Sequence, residues 1–168
     1  MLRARGFTIV ELITVVVLLG ILSMTAVSRM VRPSSFAPGI VAQTFVAEAR
    51  IAQQRAASRR DASVTLTADR LGDDWRFVLS SDVDGVLRTE LVEAANTSVT
   101  VKSGAASASL DSSASLRLDF TTTGDLSVVL IDGLLGDASG GVALTVVGDT
   151  SRDVCVHPTG YAVEGVCV

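Results

Sequence analysis

Gly6-Phe7-Thr8-Ile9-Val10-Glu11-Leu12 decides the reading of this chain. It joins a short leader carrying Arg3 and Arg5 to an apolar run with a single carboxylate near its start. Residues 12–28 carry no charge, and the next cation is Arg29. As a helix, residues 7–30 would extend roughly 36 Å at about 1.5 Å per residue. That exceeds a hydrocarbon core of about 30 Å. Two arginines before the run and a large polar remainder after it place the leader in the cytoplasm. An ionisable residue inside such a span costs about 2.5–3.5 kcal/mol at the bilayer centre, so Glu11 reads as a functional residue that needs a partner.

Residues 6–12, followed by Ile13-Thr14-Val15-Val16-Val17-Leu18-Leu19-Gly20, resemble the class III signal of type IV pilins and type II secretion pseudopilins. The resemblance implies cleavage by prepilin peptidase between Gly6 and Phe7, with N-methylation of Phe7. It implies that Glu11 pairs with the Phe7 amine of a neighbouring subunit. It also implies other pilin subunits and an inner-membrane assembly platform as partners. The expected location is a single pass of the inner membrane, with the N-terminus cytoplasmic and the C-terminal domain periplasmic, followed by a place in a pilus or pseudopilus. A carboxylate in an apolar bundle is tolerated when paired and penalised when alone. Two competing readings fit less well. A secretory signal would have a shorter apolar core and a small-residue site, which Ser23, Ala26 and Ser28 only mimic. A plain anchor has no use for Glu11.

The precursor carries a formal charge of −4, with 14 basic and 18 acidic residues. Losing Arg3 and Arg5 makes the mature chain more acidic still, a field that disfavours nucleic acid as a partner. Cys155 and Cys167 read as a disulfide in an oxidising compartment, with free thiols or metal binding as the alternatives. Two cysteines and one histidine cannot fill a structural zinc site. The pilin resemblance also points to a bridge near the carboxyl end. It would close a terminal hairpin around Pro158-Thr159-Gly160.

The chain divides into a leader (1–6), a membrane and assembly helix (7–30), a helical continuation (31–60) broken around Pro33 and Pro38, and a β-rich domain (61–168). Two prolines and Gly39 are expected to end or kink the helix. Helical patterning resumes from about residue 40 to 60. Val41, Phe45, Ala49, Ala52 and Ala56 form a packing stripe, while Glu48, Arg50, Gln54, Arg55 and Arg59 lie mostly off it. Strands are expected at 63–68, 75–80, 86–92, 98–101, 115–121, 126–131, 142–147, 153–157 and 161–163, with 103–115 as a long Ala/Ser-rich loop. The fold class is α+β, a long N-terminal helix against an antiparallel sheet domain with one core.

The downstream spacing resembles the H-type minor pseudopilins and FimT-like minor pilins. Leu116-Arg117-Leu118-Asp119-Phe120, three threonines, Gly124 and the late Thr159-Gly160 turn carry that resemblance. Ala47 to Ala56 and the cysteine pair resemble most the C minor pilins of mannose-sensitive haemagglutinin pili. DNA-binding FimT-like proteins place arginines in the last hairpin. Here Gly160-Tyr161-Ala162-Val163 and Glu164 stand instead, which argues against a DNA-uptake role.

No enzymatic motif emerges. Gly136 to Gly141 echoes a serine-protease loop with one residue inserted, but the only histidine, His157, follows it. Asp82-Val83-Asp84-Gly85 with Glu93 echoes a calcium loop, yet Val86 and Leu87 fall where ligand and glycine are required. His157 reads as a strand or turn residue and Trp75 as core. Lys102 lies in no Walker loop. No cofactor is expected.

Overall fold

The computed structural model describes residues 8–30, 35–59, 61–94 and 96–167, without the side chains of 23–30. The chain forms two compact units divided between residues 33 and 34. The first contains α1 (Ile9–Met30). The second holds α2 (Ala37–Ser58) and eleven strands: β1 (Val64–Leu71), β2 (Asp74–Ser81), β3 (Gly85–Glu93), β4 (Ser98–Ser103), β5 (Ala106–Leu110), β6 (Ser115–Phe120), β7 (Leu126–Ile131), β8 (Leu134–Leu135), β9 (Val142–Val147), β10 (Ser151–Val156) and β11 (Ala162–Glu164).

Every pairing is antiparallel. One sheet of six strands runs β3-β2-β1-β6-β7-β8, and a second of five runs β11-β10-β9-β4-β5. Period-two alternation sends Val64, Leu66 and Ala68 of β1, Trp75, Phe77 and Leu79 of β2, and Leu116, Leu118 and Phe120 of β6 inward. Val142, Leu144 and Val146 of β9 face them from the other sheet, in one continuous core. The fold is therefore α+β, a helix packed on antiparallel sheets.

α2 closes this core. Val41, Phe45, Ala49, Ala52 and Ala56 are all buried, as the stripe predicted. The alanines let the backbone approach both sheets, which larger side chains would hold off. Phe45 meets Phe77 edge to face, with centroids 6.1 Å apart. Where α2 and the two sheets converge, a void of about 10 Å³ remains, lined only by apolar side chains such as Val41, Phe45, Trp75 and Leu144. It is at the lower limit for one water and offers that water no polar partner.

Four expectations need correction. Pro38 lies inside α2. It sits in the first turn of α2, where a missing N–H costs nothing, so α2 starts at Ala37 rather than near residue 40 and ends at Ser58. Pro33 lies outside the described residues. The expected loop over 103–115 contains β5, paired with β4 from Val99↔Leu110 to Ser103↔Ala106 across a turn at Gly104. Its alternating Ala and Ser supply little hydrophobic contrast, yet Ala106 and Ala108 lean on the core. β8 was also not anticipated. Glu48, assigned off the packing face, is only 2% exposed.

Trp75 is buried, and its indole N–H donates to Thr97 Oγ1 at 2.7 Å. That hydroxyl in turn donates to the Ala94 carbonyl at 2.6 Å, so neither buried group is orphaned.

Candidate assembly and interaction surfaces

α1 begins at Thr8. The Thr8 hydroxyl accepts from the Glu11 backbone N–H at 3.2 Å, and Thr14 Oγ1 donates to the Glu11 carbonyl at 2.9 Å. Thr8 thus acts as the N-cap and Glu11 stands three positions on, the spacing of a capping box. The carboxylate also sits in the first turn, where the helix dipole favours a negative charge. The cap was missed in reading the sequence, although Thr-x-x-Glu ahead of an apolar run is its signature.

Glu11 is exposed, and so are the large apolar residues around it. Ile9 is 78% accessible and Leu22 is 62% accessible. Leu12, Ile13, Val16, Val17 and Leu18 are open on every side of the helix. A helix apolar all round is covered by protein or lipid in its working state. Gly6 and Phe7 lie outside the described residues, so their geometry relative to Glu11 is not part of this structure. Among the described residues no helix is long and apolar enough to cross a membrane. The span expected over 7–30 includes side chains beyond that set.

In the second unit, the terminal hairpin is stitched to the rest by several devices. Cys155 of β10 is bonded to Cys167, closing a separation of 12 residues. His157 N donates to the Tyr161 carbonyl, and Gly160 N to the His157 carbonyl, placing His157 in the turn. From α2, Gln53 Nε2 donates to the Thr159 carbonyl at 2.6 Å and Arg50 Nε to the Ala162 carbonyl at 2.9 Å. The Arg50 guanidinium stacks 5.0 Å from the Tyr161 ring centroid. Arg50 is therefore spent on the protein itself, and Glu164 stands beside it in the same shallow groove.

Breaking the bridge should loosen this hairpin. A loop of this size is worth about 3 kcal/mol in the chain-entropy account. Cys167→Ser should lower the urea midpoint accordingly, with β11 amides gaining the most hydrogen exchange. A midpoint equal to that of the native chain would show that the bridge adds nothing.

Glu48 is the one buried carboxylate among the described residues. Arg88 Nε of β3 reaches its Oε1 at 3.1 Å, and Arg88 Nη2 also donates to Glu90 at 3.1 Å. Burial pushes the Glu48 carboxyl above its ordinary value of 4.5; Arg88 pulls it down and Glu90 pushes it up again. The folded state thus holds this proton more tightly than the unfolded chain. Its contribution to stability is full below about pH 4.5 and is lost as pH rises through the folded value. Glu48→Gln should lack that decline. Urea midpoints at about pH 4 and about pH 7 should differ less in the variant than in the native chain. An unchanged difference would remove Glu48 from the account.

The remaining motifs resolve into turns. Asp137 caps a short 3-10 turn (Ala138–Gly140) by accepting from Ser139 N at 2.9 Å and Ser139 Oγ at 2.6 Å. That hydroxyl holds the Asp137 carboxyl below its usual range, which unsuits it as a general base. Asp82 and Asp84 form the β2–β3 turn. Asp82 Oδ1 accepts from Ser63 N at 3.0 Å, and Asp84 pairs with Arg59 at the end of α2. Among the described residues no cluster of His, Cys, Asp or Glu could hold a metal ion.

At the opposite end of α2, Phe36 occupies the N-cap without a capping hydrogen bond. Ser, Thr, Asp or Asn there would add about 1 kcal/mol. Phe36 does not pack either, being 62% exposed, and Ile40 one turn on is 49% exposed. With Ser35, Gly39, Gln43 and Arg152 they line an open groove of about 180 Å³.

No family model matches the chain, and no curated protein matches it. A solved structure of the type IV minor pilin FimU from Pseudomonas aeruginosa is similar, with 18% identity, a TM-score of 0.47, and coverage of 75% of this chain and 90% of that one.

Proposed function

We propose that this chain is a minor subunit of a type IV pilus-like fibre. It is a structural and interaction protein. It is cut after Gly6 by prepilin peptidase, methylated at Phe7, held by one pass of the inner membrane with its globular unit in the periplasm, and passed by the assembly platform into a fibre of pilin subunits. The observation that supports this best is Glu11. It is an exposed carboxylate in the first turn of a helix whose residues 9–22 are otherwise apolar but for Thr14, within a Gly-Phe-Thr-x-x-Glu motif of pilin type. At about 1.5 Å per residue, α1 is about 33 Å long, the thickness of a hydrocarbon core.

In the fibre, the apolar stalks exchange lipid for one another, so hydrophobic burial favours neither state strongly and packing decides. Glu11 then supplies register: it offsets the Phe7 ammonium of a neighbour in a medium where either charge alone is costly. The finer assignment, a fibre of the mannose-sensitive haemagglutinin type, is supported by the stretch from Ala47 to Ala56 and by the cysteine pair near the carboxyl end.

Glu11→Ala tests the mechanism. Cleavage should proceed, because the residue lies beyond the cut site, while recovery in sheared fibres should fall well below the native level. Incorporation at the native level would remove Glu11 from assembly.

A further inference from the structure

We infer that the groove at the N-terminal end of α2 is a docking surface for the lipid headgroup interface of the bilayer. The inference rests on the reading of α1 as a membrane span. Two independent observations point to it. The first is composition. Phe36 and Ile40 are exposed side by side on a helix whose other large apolar residues, Val41, Phe45, Val46 and Ile51, pack on the core, and Arg152 of β10 shares their groove. An aromatic and an aliphatic side chain flanked by a guanidinium make up the side-chain set that settles at a membrane interface. The apolar bodies enter the acyl boundary while the cation meets phosphate. Asp149 in the neighbouring β9–β10 turn is already engaged within the protein.

The second observation is covalent reach. Five residue steps join Met30, the last residue of α1, to Ser35 at the edge of the groove. They extend to no more than about 18 Å. A span that ends near Met30 therefore keeps this end of the globular unit within reach of the headgroups until the subunit is extracted. Helix physics gives no reason for Phe36: a polar residue would cap α2 better, and the ring stands 62% exposed outside the core cluster. Contact with lipid accounts for both.

The test uses the full chain in phosphatidylcholine–phosphatidylglycerol vesicles whose acyl chains carry bromine, a short-range quencher of tryptophan. Trp75, the only native tryptophan, is buried and serves as an internal reference for folding. Three variants are compared: Phe36→Trp in the groove, Leu18→Trp in α1, and Val83→Trp in the β2–β3 turn. That turn lies beside the far end of α2, because Asp84 pairs with Arg59, and α2 is about 33 Å long.

Shallow bromines should quench Phe36→Trp and leave Val83→Trp and Trp75 unchanged. Deep bromines should quench Leu18→Trp. If Leu18→Trp is quenched and Phe36→Trp is not, the docking surface is wrong and the span stands. If Leu18→Trp is not quenched, the span itself fails and this inference falls with it. Phe36→Trp emission that ignores bromine but changes with the protein-to-lipid ratio would assign the groove to a second copy of the chain and overturn the proposal.

Discussion

A Gly6→Val chain is expected to keep its leader and to remain a full-length precursor. The proposed cut falls directly after residue 6, and a peptidase must bring its catalytic groups within about 3 Å of the carbonyl it attacks. Glycine presents bare backbone there, whereas a β-branched side chain restricts rotation and shields the carbonyl on one side. Everything downstream depends on this step. Without the cut, Phe7 has no free amine, so the proposed pairing leaves Glu11 no ammonium to meet and gives the stalk no register. Immunoblots should show a single band about six residues heavier than the mature chain, confined to the membrane fraction. Normal processing of Gly6→Val would end the assignment of 6–12 as a pilin signal.

Gly160→Ala is expected to be the most damaging single-methyl change in the globular unit. Gly160 has φ +75°, and a Cβ built on it would lie 2.0 Å from the Gly124 carbonyl oxygen. The two turns that meet here belong to different sheets. Leu126 N donates to the Pro158 carbonyl, and Gln53 of α2 donates to Thr159 in between. Adding the methyl group costs about 1–2 kcal/mol for left-handed backbone and about 1–3 kcal/mol or more for the collision. Together these remove a large share of a typical total of about 5–15 kcal/mol. Gly72→Ala is the matched control. Its φ is +66°, but nothing lies within 4 Å of the added Cβ, so only the backbone cost applies. A drop in urea midpoint at least about twice as large at Gly160 as at Gly72 would locate the seam between the sheets. Equal drops would show that the Gly124 turn gives way freely.

The parts of this fold that could be read from sequence are those with strong side-chain contrast. The α2 stripe was legible because Val41, Phe45 and the alanines recur at helical spacing against Gln and Arg. The β1, β2, β6 and β9 strands alternate large apolar residues with Thr, Ser and charged ones. β5 was not legible, because alternating Ala and Ser carry almost no hydropathy signal and only pairing with β4 makes it a strand. β8 is two residues between glycines, too short for any period. Glu48 was misplaced because a carboxylate counts as polar in any pattern, while the salt bridge that lets it be buried comes from Arg88, forty residues away in sequence. Phe36 and Arg152 form a groove only through the fold that brings β10 to the start of α2. Thr8 is legible in principle through its spacing to Glu11, since Thr-x-x-Glu ahead of an apolar run is the capping-box pattern.

The most direct test of the central claim is the intact mass and amino-terminal sequence of the mature protein, recorded with and without reductant. The account predicts a chain that begins at N-methyl-Phe7 and gains two hydrogens on reduction as the Cys155–Cys167 bridge opens. A chain cut near residue 28, or one that retains Met1, would contradict it and replace the assembly helix with a signal peptide or a plain anchor.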